Sequence, residues 1–270
     1  MSLPTNVILQ NITEAILEAA QVAGAFLLQS QKEIASIEVQ IKSLNQLVSE
    51  IDINAEKRIV QILKGKFPEA GFLTEEGTTI QQKAELCFII DPLDGTTNYL
   101  HNLPIYCVSI AATFNDVLIA GVVYAPASQE MFHAMKGNGA FLNHQPITVS
   151  QSRNLNESLL ATGFPYYAFE EMDAYIASLE YFMQNTRGLR RMGSAAIDLA
   201  YTACGRFCGF FELNINTWDV AAGILLVQEA GGKVSTFNDQ GSAMSGKQII
   251  ASNPAINTEL KRVLVNNFYL

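Results

Sequence analysis

The stretch FIIDPLDGTTNYLHNLPIY, residues 88–106, sets Asp91 and Asp94 directly behind an apolar run and follows them with Gly95, Thr96 and Thr97. Pro92 has no N–H to give to a strand ladder, so the run predicts a strand that stops at Asp91 and a turn that points both carboxylates into one cavity. A Gly-Thr-Thr segment after that turn offers backbone N–H groups and hydroxyls to an anion, above all if a helix starts there. Two carboxylates this close repel each other and lose hydration, a cost that hard cations between them relieve. Oxygen-only ligation suits Mg²⁺ or Mn²⁺, and no HExxH or paired Cys/His spacing speaks for zinc. Taken alone, Asp-Pro-Leu-Asp also reads as an ordinary turn.

Upstream, Ile8, Ile12, Ile16, Ala19, Ala20, Ala23, Phe26 and Leu27 recur every three or four residues and predict an amphipathic helix. A second helix is expected from about 49 to 63, ending near Gly65 and Pro68. Downstream, the period changes. Residues 106–114 and 117–124 predict two strands joined through Asn115-Asp116, and 130–135 with the Gly137-Asn138-Gly139 turn continues an antiparallel sheet. The composition turns polar over 149–156, which marks a soft internal boundary. Beyond it, a strand is expected at 158–162, helices near 170–182 and from Gly193-Ser194, a strand at 207–213, and a helix at 218–230 stopped by Gly231-Gly232. An α+β half joined to an α/β half is the layered sandwich this order predicts.

The chain has 270 residues, 49% hydrophobic and 16% charged, enough to bury a substantial core. A formal net charge of -9 without a long basic run argues against nucleic acid as the main ligand. Cys87, Cys107, Cys204 and Cys208 form neither a disulfide framework nor a zinc knuckle and read as core cysteines of a reducing compartment. With no apolar run long enough to span a bilayer, a cytoplasmic protein that does not engage membranes is expected.

Two further acidic features bear on the site. Glu75-Glu76 follows Phe72-Leu73, and Asp219 follows Trp218 at the start of an apolar helix, where it reads equally as a capping carboxylate and as a ligand. With these, seven stretches resemble the inositol monophosphatase family of Mg²⁺-dependent, lithium-sensitive phosphatases: LVSEID at 47–52, FLTEE at 72–76, IIDPLDGTTNYLHNLP at 89–104, GNGAFLNHQPITVS at 137–150, LLATGFPY at 159–166, RRMGSAAIDLAYTACGRFCGFFE at 190–212 and WDVAAGILLVQEAGG at 218–232. They run through nearly the whole chain in the family's order.

The resemblance implies a layered αβαβα fold, with an N-terminal half (1–150) carrying most metal ligands and a C-terminal half (151–270) carrying Asp219 and the substrate side. By matching motifs, Glu75, Asp91, Asp94, Asp219 and the carbonyl of Leu93 take metal-ligand positions for two or three Mg²⁺ ions. Asp52 takes the position that supports Thr96 and its water network. Gly95, Thr96 and Thr97 take the phosphate cradle, and Gly193, Ser194, Ala195 and Glu212 the substrate side. A homodimer is implied as well. Two positions depart from the pattern: Gln46 stands for an Asp, and Thr74 for the Gly before Glu-Glu; neither removes a ligand.

The expected reaction is hydrolysis of inositol monophosphate or a related small polyol phosphate by a metal-activated water, with Glu75 and Thr96, backed by Asp52, orienting the water. Histidinol phosphate, fructose 1,6-bisphosphate and a phosphonucleotide are alternatives within the same chemistry. An interaction protein that keeps the phosphatase scaffold, for example one touching the transcription machinery, is the alternative of another class. Ser194 is no hydrolase nucleophile on this reading, because GxSxG is absent and no His/Asp partner is indicated. Arg190 and Arg191 read equally as phosphate or subunit contacts and as a solvated pair, Asn216 stands at a variable position, and Trp218, Phe210 and Phe211 read as packing.

Overall fold

The computed structural model describes residues 4–35, 41–81, 84–165 and 169–269; the side chains of 34, 35 and 41–48 fall outside that description, so the Gln46 departure and part of the 47–52 motif do too, as does Tyr166. Two long helices open the chain, α1 (Asn6–Ala35) and α2 (Ile41–Lys66). The second starts eight residues before the expected position 49. Ile41, Leu44 and Val48 continue the three-and-four spacing of Ile51 and Ala55, so one register carries the whole helix.

The first sheet has seven strands in sequential order: β1 (Gly71–Thr74), β2 (Leu86–Asp94), β3 (Cys107–Phe114), β4 (Val117–Ala125), β5 (Glu130–Met135), β6 (Ala140–Leu142) and β7 (Gln145–Ile147). Only β1 and β2 pair in parallel; the others run antiparallel. The β3–β4 hairpin turns through Asn115 and Asp116, both at positive φ (49° and 63°), the backbone a two-residue turn requires. A short helix, α3 (Thr96–Leu100), follows β2.

The second sheet draws on the rest of the chain. Its order is β11-β12-β10-β8-β9, with β8 (Leu159–Thr162), β9 (Gly188–Arg190), β10 (Gly209–Leu213), β11 (Lys233–Ser235) and β12 (Gln248–Ser252). Helices α4 (Met172–Asn185), α5 (Ala195–Ala203), α6 (Thr217–Glu229) and α7 (Pro254–Tyr269) complete the chain.

Strand alternation sorts the side chains into three apolar cores, which define five layers. Phe88 and Ile90 pack under α1 and α2, whereas Ile89 faces the middle layer of α5 and α6. Across that layer, Phe210 and Ile249 of the second sheet face the same middle core, while Phe211 and Ile250 turn outward under α4 and α7. The architecture is therefore αβαβα. Trp218, Phe210 and Phe211 all belong to these cores.

One expectation about the opening stretch is corrected. The strand does not stop at Asp91: β2 continues to Asp94, which pairs with Cys107 after Asp91 pairs with Ser109. Three steps on β2 oppose two on β3, a β-bulge, and Pro92 lies inside it, where no ladder N–H is needed. The extra residue resets the alternation. Ile90 and Leu93 both enter the core under α1 and α2, and Asp91 and Asp94 therefore share the opposite, middle-layer face.

Candidate active site

A cavity of about 340 Å³ opens where the middle layer meets the ends of both sheets, and its walls include Glu75, Asp94, Asp219, Thr96, Ser194 and Glu212. Each arrives for a local reason. The parallel register Thr74↔Ile90 places Glu75 beside Asp91, and the Glu75 N–H extends the ladder by donating to the Ile90 carbonyl at 3.2 Å. Asp219 is in the first turn of α6, where its Oδ2 accepts from the Asn216 N–H at 2.6 Å. The capping and ligand readings of Asp219 are thus compatible, since the carboxylate that caps α6 also lines the cavity and meets Asp91 there.

Asp94 is held from the second half of the chain. Its Oδ2 accepts from the Ser194 hydroxyl at 2.6 Å and from the Ala196 N–H at 2.7 Å. Asp91 is buried, and its Oδ1 accepts from the Leu93 N–H at 2.9 Å. The Leu93 carbonyl accepts from the Thr96 hydroxyl at 3.0 Å. That proton is aimed at Leu93 and not at Asp52, so Thr96 and Asp52 are not joined through it. Asp52, buried on α2, has an Oδ1 without a partner.

The electrostatics follow from crowding. Burial, with Asp219 as the next cause, pushes Asp94 up to about 7. Glu75, although the residue is exposed at the cavity mouth, is pushed up to about 7 by desolvation of its carboxyl among the other acids, against a hydrogen bond from Asp91 that lowers it. Asp91 is raised further by burial and by Glu75, Asp94 and Asp219, and Asp219 is raised by burial. Asp52 rises to about 8 through burial and then Glu76 and Glu75. Among the described residues, the leading influences on the four ligand candidates are burial, other carboxylates and hydrogen bonds, with no basic side chain among them. Among the described residues, no three acidic, His or Cys side chains draw together into a ready-made chelate. An all-oxygen, uncompensated donor set of this kind fits hard divalent cations such as Mg²⁺.

The substrate wall comes from the C-terminal half. Glu212 lies on the same face of β10 as Phe210, is buried, and is pushed up to about 8 by that burial, with Arg191 pulling the other way. A Cβ on Gly163 would lie 2.0 Å from Glu212 Oε1, so any side chain there must displace this carboxyl or the backbone beside it. Gly193, at φ 90°, lies so close to Asn98 that a Cβ would meet its Nδ2 at 2.8 Å. The two arginines separate: Arg191 lines the cavity with its guanidinium over the Phe164 ring, and Arg190 is exposed.

Some contributors carry little sequence signal. Asn98 donates to the carbonyls of Ile105 at 2.7 Å and Met192 at 2.9 Å, tying the Gly95–Thr97 segment to the Gly193 turn. Asp198, buried in α5, lines the cavity and is raised well above the usual carboxylate range by burial and then by Glu212 and Asp94. Its spacing in Ala-Ala-Ile-Asp-Leu-Ala marks only a polar residue in an apolar helix. Asn214 and Asn216 also line the cavity.

Comparison with known proteins agrees with this arrangement. A profile of the inositol monophosphatase family matches residues 8–267. An inositol-1-monophosphatase of Synechocystis is 42% identical over 257 residues, covering 95% of this chain and 89% of the relative. A putative Nus factor SuhB of Neisseria meningitidis is 40% identical over 248 residues, covering 92% of this chain and 95% of the relative. The crystal structure of the extragenic suppressor protein suhB from Bartonella henselae superposes with a TM-score of 0.84 at 40% identity, over 94% of this chain and 99% of that one. With the sheet bulge, the acidic cavity and the five layers already in place, the chain belongs to the inositol monophosphatase family.

Proposed function

We propose that this chain is a Mg²⁺-dependent phosphomonoesterase that hydrolyses inositol monophosphate or a related small polyol phosphate to the free alcohol and phosphate. The observation that carries the reading is the convergence of Glu75, Asp94, Asp219, the Gly95–Thr97 segment and Glu212 on one cavity. Glu75, Asp91, Asp94, Asp219 and the Leu93 carbonyl would hold two or three ions. When bound, Mg²⁺ supplies Lewis acidity toward phosphate oxygens and lowers the pKa of water.

The chain's own groups account for the rest. Backbone N–H groups of Gly95, Thr96 and Thr97, at the start of α3 where helical donors lack partners, face the phosphate. Glu75 and the Thr96 hydroxyl oxygen hold the attacking water, with Glu75 taking its proton and Asp52 behind them. Glu212 accepts a hydroxyl of the alcohol, which relieves its burial. Ser194 has its proton on Asp94 and accepts from the Ile197 N–H at 3.3 Å, and none of His101, His133 and His144 lines the cavity, so the chain's geometry favours water over a serine nucleophile.

Among the described lining residues, Arg191 is the one basic side chain, set against Glu75, Asp94, Asp198, Glu212 and Asp219. This charge balance favours a single phosphate with a neutral, hydroxyl-rich remainder over fructose 1,6-bisphosphate or a bisphosphorylated nucleotide. A phosphate-release panel of inositol phosphates, histidinol phosphate, fructose phosphates and adenosine bisphosphates, run with Mg²⁺ and with chelator, tests the reading. Hydrolysis of polyol monophosphates only with Mg²⁺ is expected; no release from any substrate would overturn it.

The name of the Neisseria relative motivates a second reading, a partner-binding role on the same scaffold. It predicts that an Asp91→Asn/Asp94→Asn double variant keeps binding a purified transcription-elongation partner while the wild type hydrolyses nothing in the panel. A homodimer is proposed for either reading. Light scattering that gives only monomer mass would count against it.

A further inference from the structure

Glu56 is fully buried on α2, one helical turn beyond Asp52, and none of the ion pairs among the described residues includes it. Its carboxylate is instead met by three donors from a single turn. Oε2 accepts from the Glu76 N–H at 2.8 Å; Oε1 accepts from the Thr78 N–H at 2.8 Å and from the Thr78 hydroxyl at 2.7 Å. Burying a carboxylate is costly unless donors replace its hydration, and short charge-assisted bonds of this kind do so. All three come from the residues that directly follow Glu75.

That turn has little else to hold it. Gly77 adopts φ 64° at its apex, Ile80 is 82% exposed, and Glu75 itself keeps solvent contact. The other described fixing is the Gln81 side chain, which donates to the Thr74 carbonyl at 2.9 Å and closes the base. The backbone on the far side of Glu75 is the rigid β1–β2 ladder. Glu75 thus directly follows a sheet strand and opens a turn whose anchors, among the described residues, are the Glu56 carboxylate on another helix and the Gln81 side chain at its base.

We propose that Glu56 is a positioning residue: it fixes the 75–78 turn from α2 and so sets where the Glu75 carboxylate stands in the cavity. The inference rests on Glu75 being a metal ligand, as put forward under Proposed function. A group that orients a ligand without touching the ion commonly alters metal affinity by about 10- to 100-fold when it is removed. Asp52 and Glu56, four residues apart on one helix face, then serve the site from the same helix, Asp52 buried within the field of Glu76 and Glu75, and Glu56 behind the turn.

The test compares wild type, Glu56→Gln, Glu56→Ala and Thr78→Ala. Mg²⁺ binding is titrated by calorimetry, and amide exchange is followed in the metal-free proteins. Glu56→Gln keeps the volume but turns an NH₂ toward backbone donors, and it serves as the readable variant if Glu56→Ala fails to fold. The expected result is Mg²⁺ affinity weakened about 10- to 100-fold in Glu56→Gln and less in Thr78→Ala, with faster exchange confined to residues 74–81. Unchanged affinity and unchanged exchange at 74–81 would overturn the proposal, as would faster exchange spread evenly over the chain. A wild type that binds no Mg²⁺ would overturn the metal reading instead, and the exchange measurement would still decide whether Glu56 anchors the turn.

Discussion

The Ser194 hydroxyl donates to Asp94 Oδ2 across 2.6 Å, joining the last residue of a strand in the first sheet to the N-cap of a helix in the middle layer. The same oxygen accepts from the Ile197 N–H, so one side chain caps α5 and orients a ligand candidate. The two halves of the chain meet through this contact at the site itself.

Ser194→Ala should therefore lose more than a cap. Removing an N-cap hydroxyl costs about 0.5–2 kcal/mol, and urea melts should show a loss in that range. Mg²⁺ affinity should fall with it, because Asp94 then keeps the Ala196 N–H and a long contact from the Cys107 thiol at 3.9 Å. Ser194→Thr, which keeps the hydroxyl, should restore both. A stability loss with unchanged Mg²⁺ binding would show that Asp94 holds its position without Ser194.

Gly163→Ala probes the substrate wall. The added Cβ would stand 2.0 Å from Glu212 Oε1, so the carboxyl or the 163–165 segment must move. The expected outcome is a raised KM for polyol phosphates with Mg²⁺ affinity retained, since Glu212 is not among the proposed ligands. Steady-state kinetics beside a Mg²⁺ titration separates the two effects. An unaltered KM would remove Glu212 from substrate binding.

Much of this was legible in the sequence because motif residues carry their chemistry with them, and some was not for identifiable reasons. Long periodic segments such as α1 and α6 announce themselves. Strands of three or four residues, as in β1, β9 and β11, contain too few residues to show a period and exist because a neighbour pairs with them. The bulge in β2 looks like a strand end in the sequence because Pro92 argues against pairing only where a ladder N–H is required. Asn98 and Glu56 act through partners far along the chain, as the Asn98–Met192 and Glu56–Glu76 bonds show, and Asp198 feels Asp94 from the first sheet; spacing along the chain holds no trace of such contacts.

The burial of Glu212 sets a pH dependence with a definite sign. Its carboxyl is raised from 4.5 to about 8, so between those values the folded protein binds a proton that the unfolded chain has released. Stability of the metal-free protein should accordingly decline as pH rises from about 4.5 to 8 through this group. Glu212→Gln, which cannot ionise, should flatten the decline and be the more stable protein at pH 8. Denaturant melts in chelator at pH 5 to 8.5 measure it; parallel profiles for the two proteins would show that Glu212 is charged throughout.

Asp94→Asn tests the ligand assignment most directly, because folding and chemistry should part. Side-chain volume is nearly kept, and an amide oxygen can still accept from Ser194 and Ala196, whose bonds both end on Oδ2. What disappears is one of the negative charges that burial and Asp219 push up to about 7. Losing that repulsion should leave the metal-free protein at least as stable as wild type. Outer groups that merely orient ligands cost about 10- to 100-fold when removed, so loss of a direct ligand should lower Mg²⁺-dependent turnover by more than about 100-fold, with partial recovery at high Mg²⁺ if only affinity has weakened. Turnover is to be measured at limiting and at saturating Mg²⁺, beside a urea melt in chelator. Unchanged turnover at both concentrations would take Asp94 out of the metal site; lost turnover with equally lost stability would make it a structural residue, and only lost turnover in an intact fold agrees with two aspartates turned to one face by a bulge so that shared cations can lie between them.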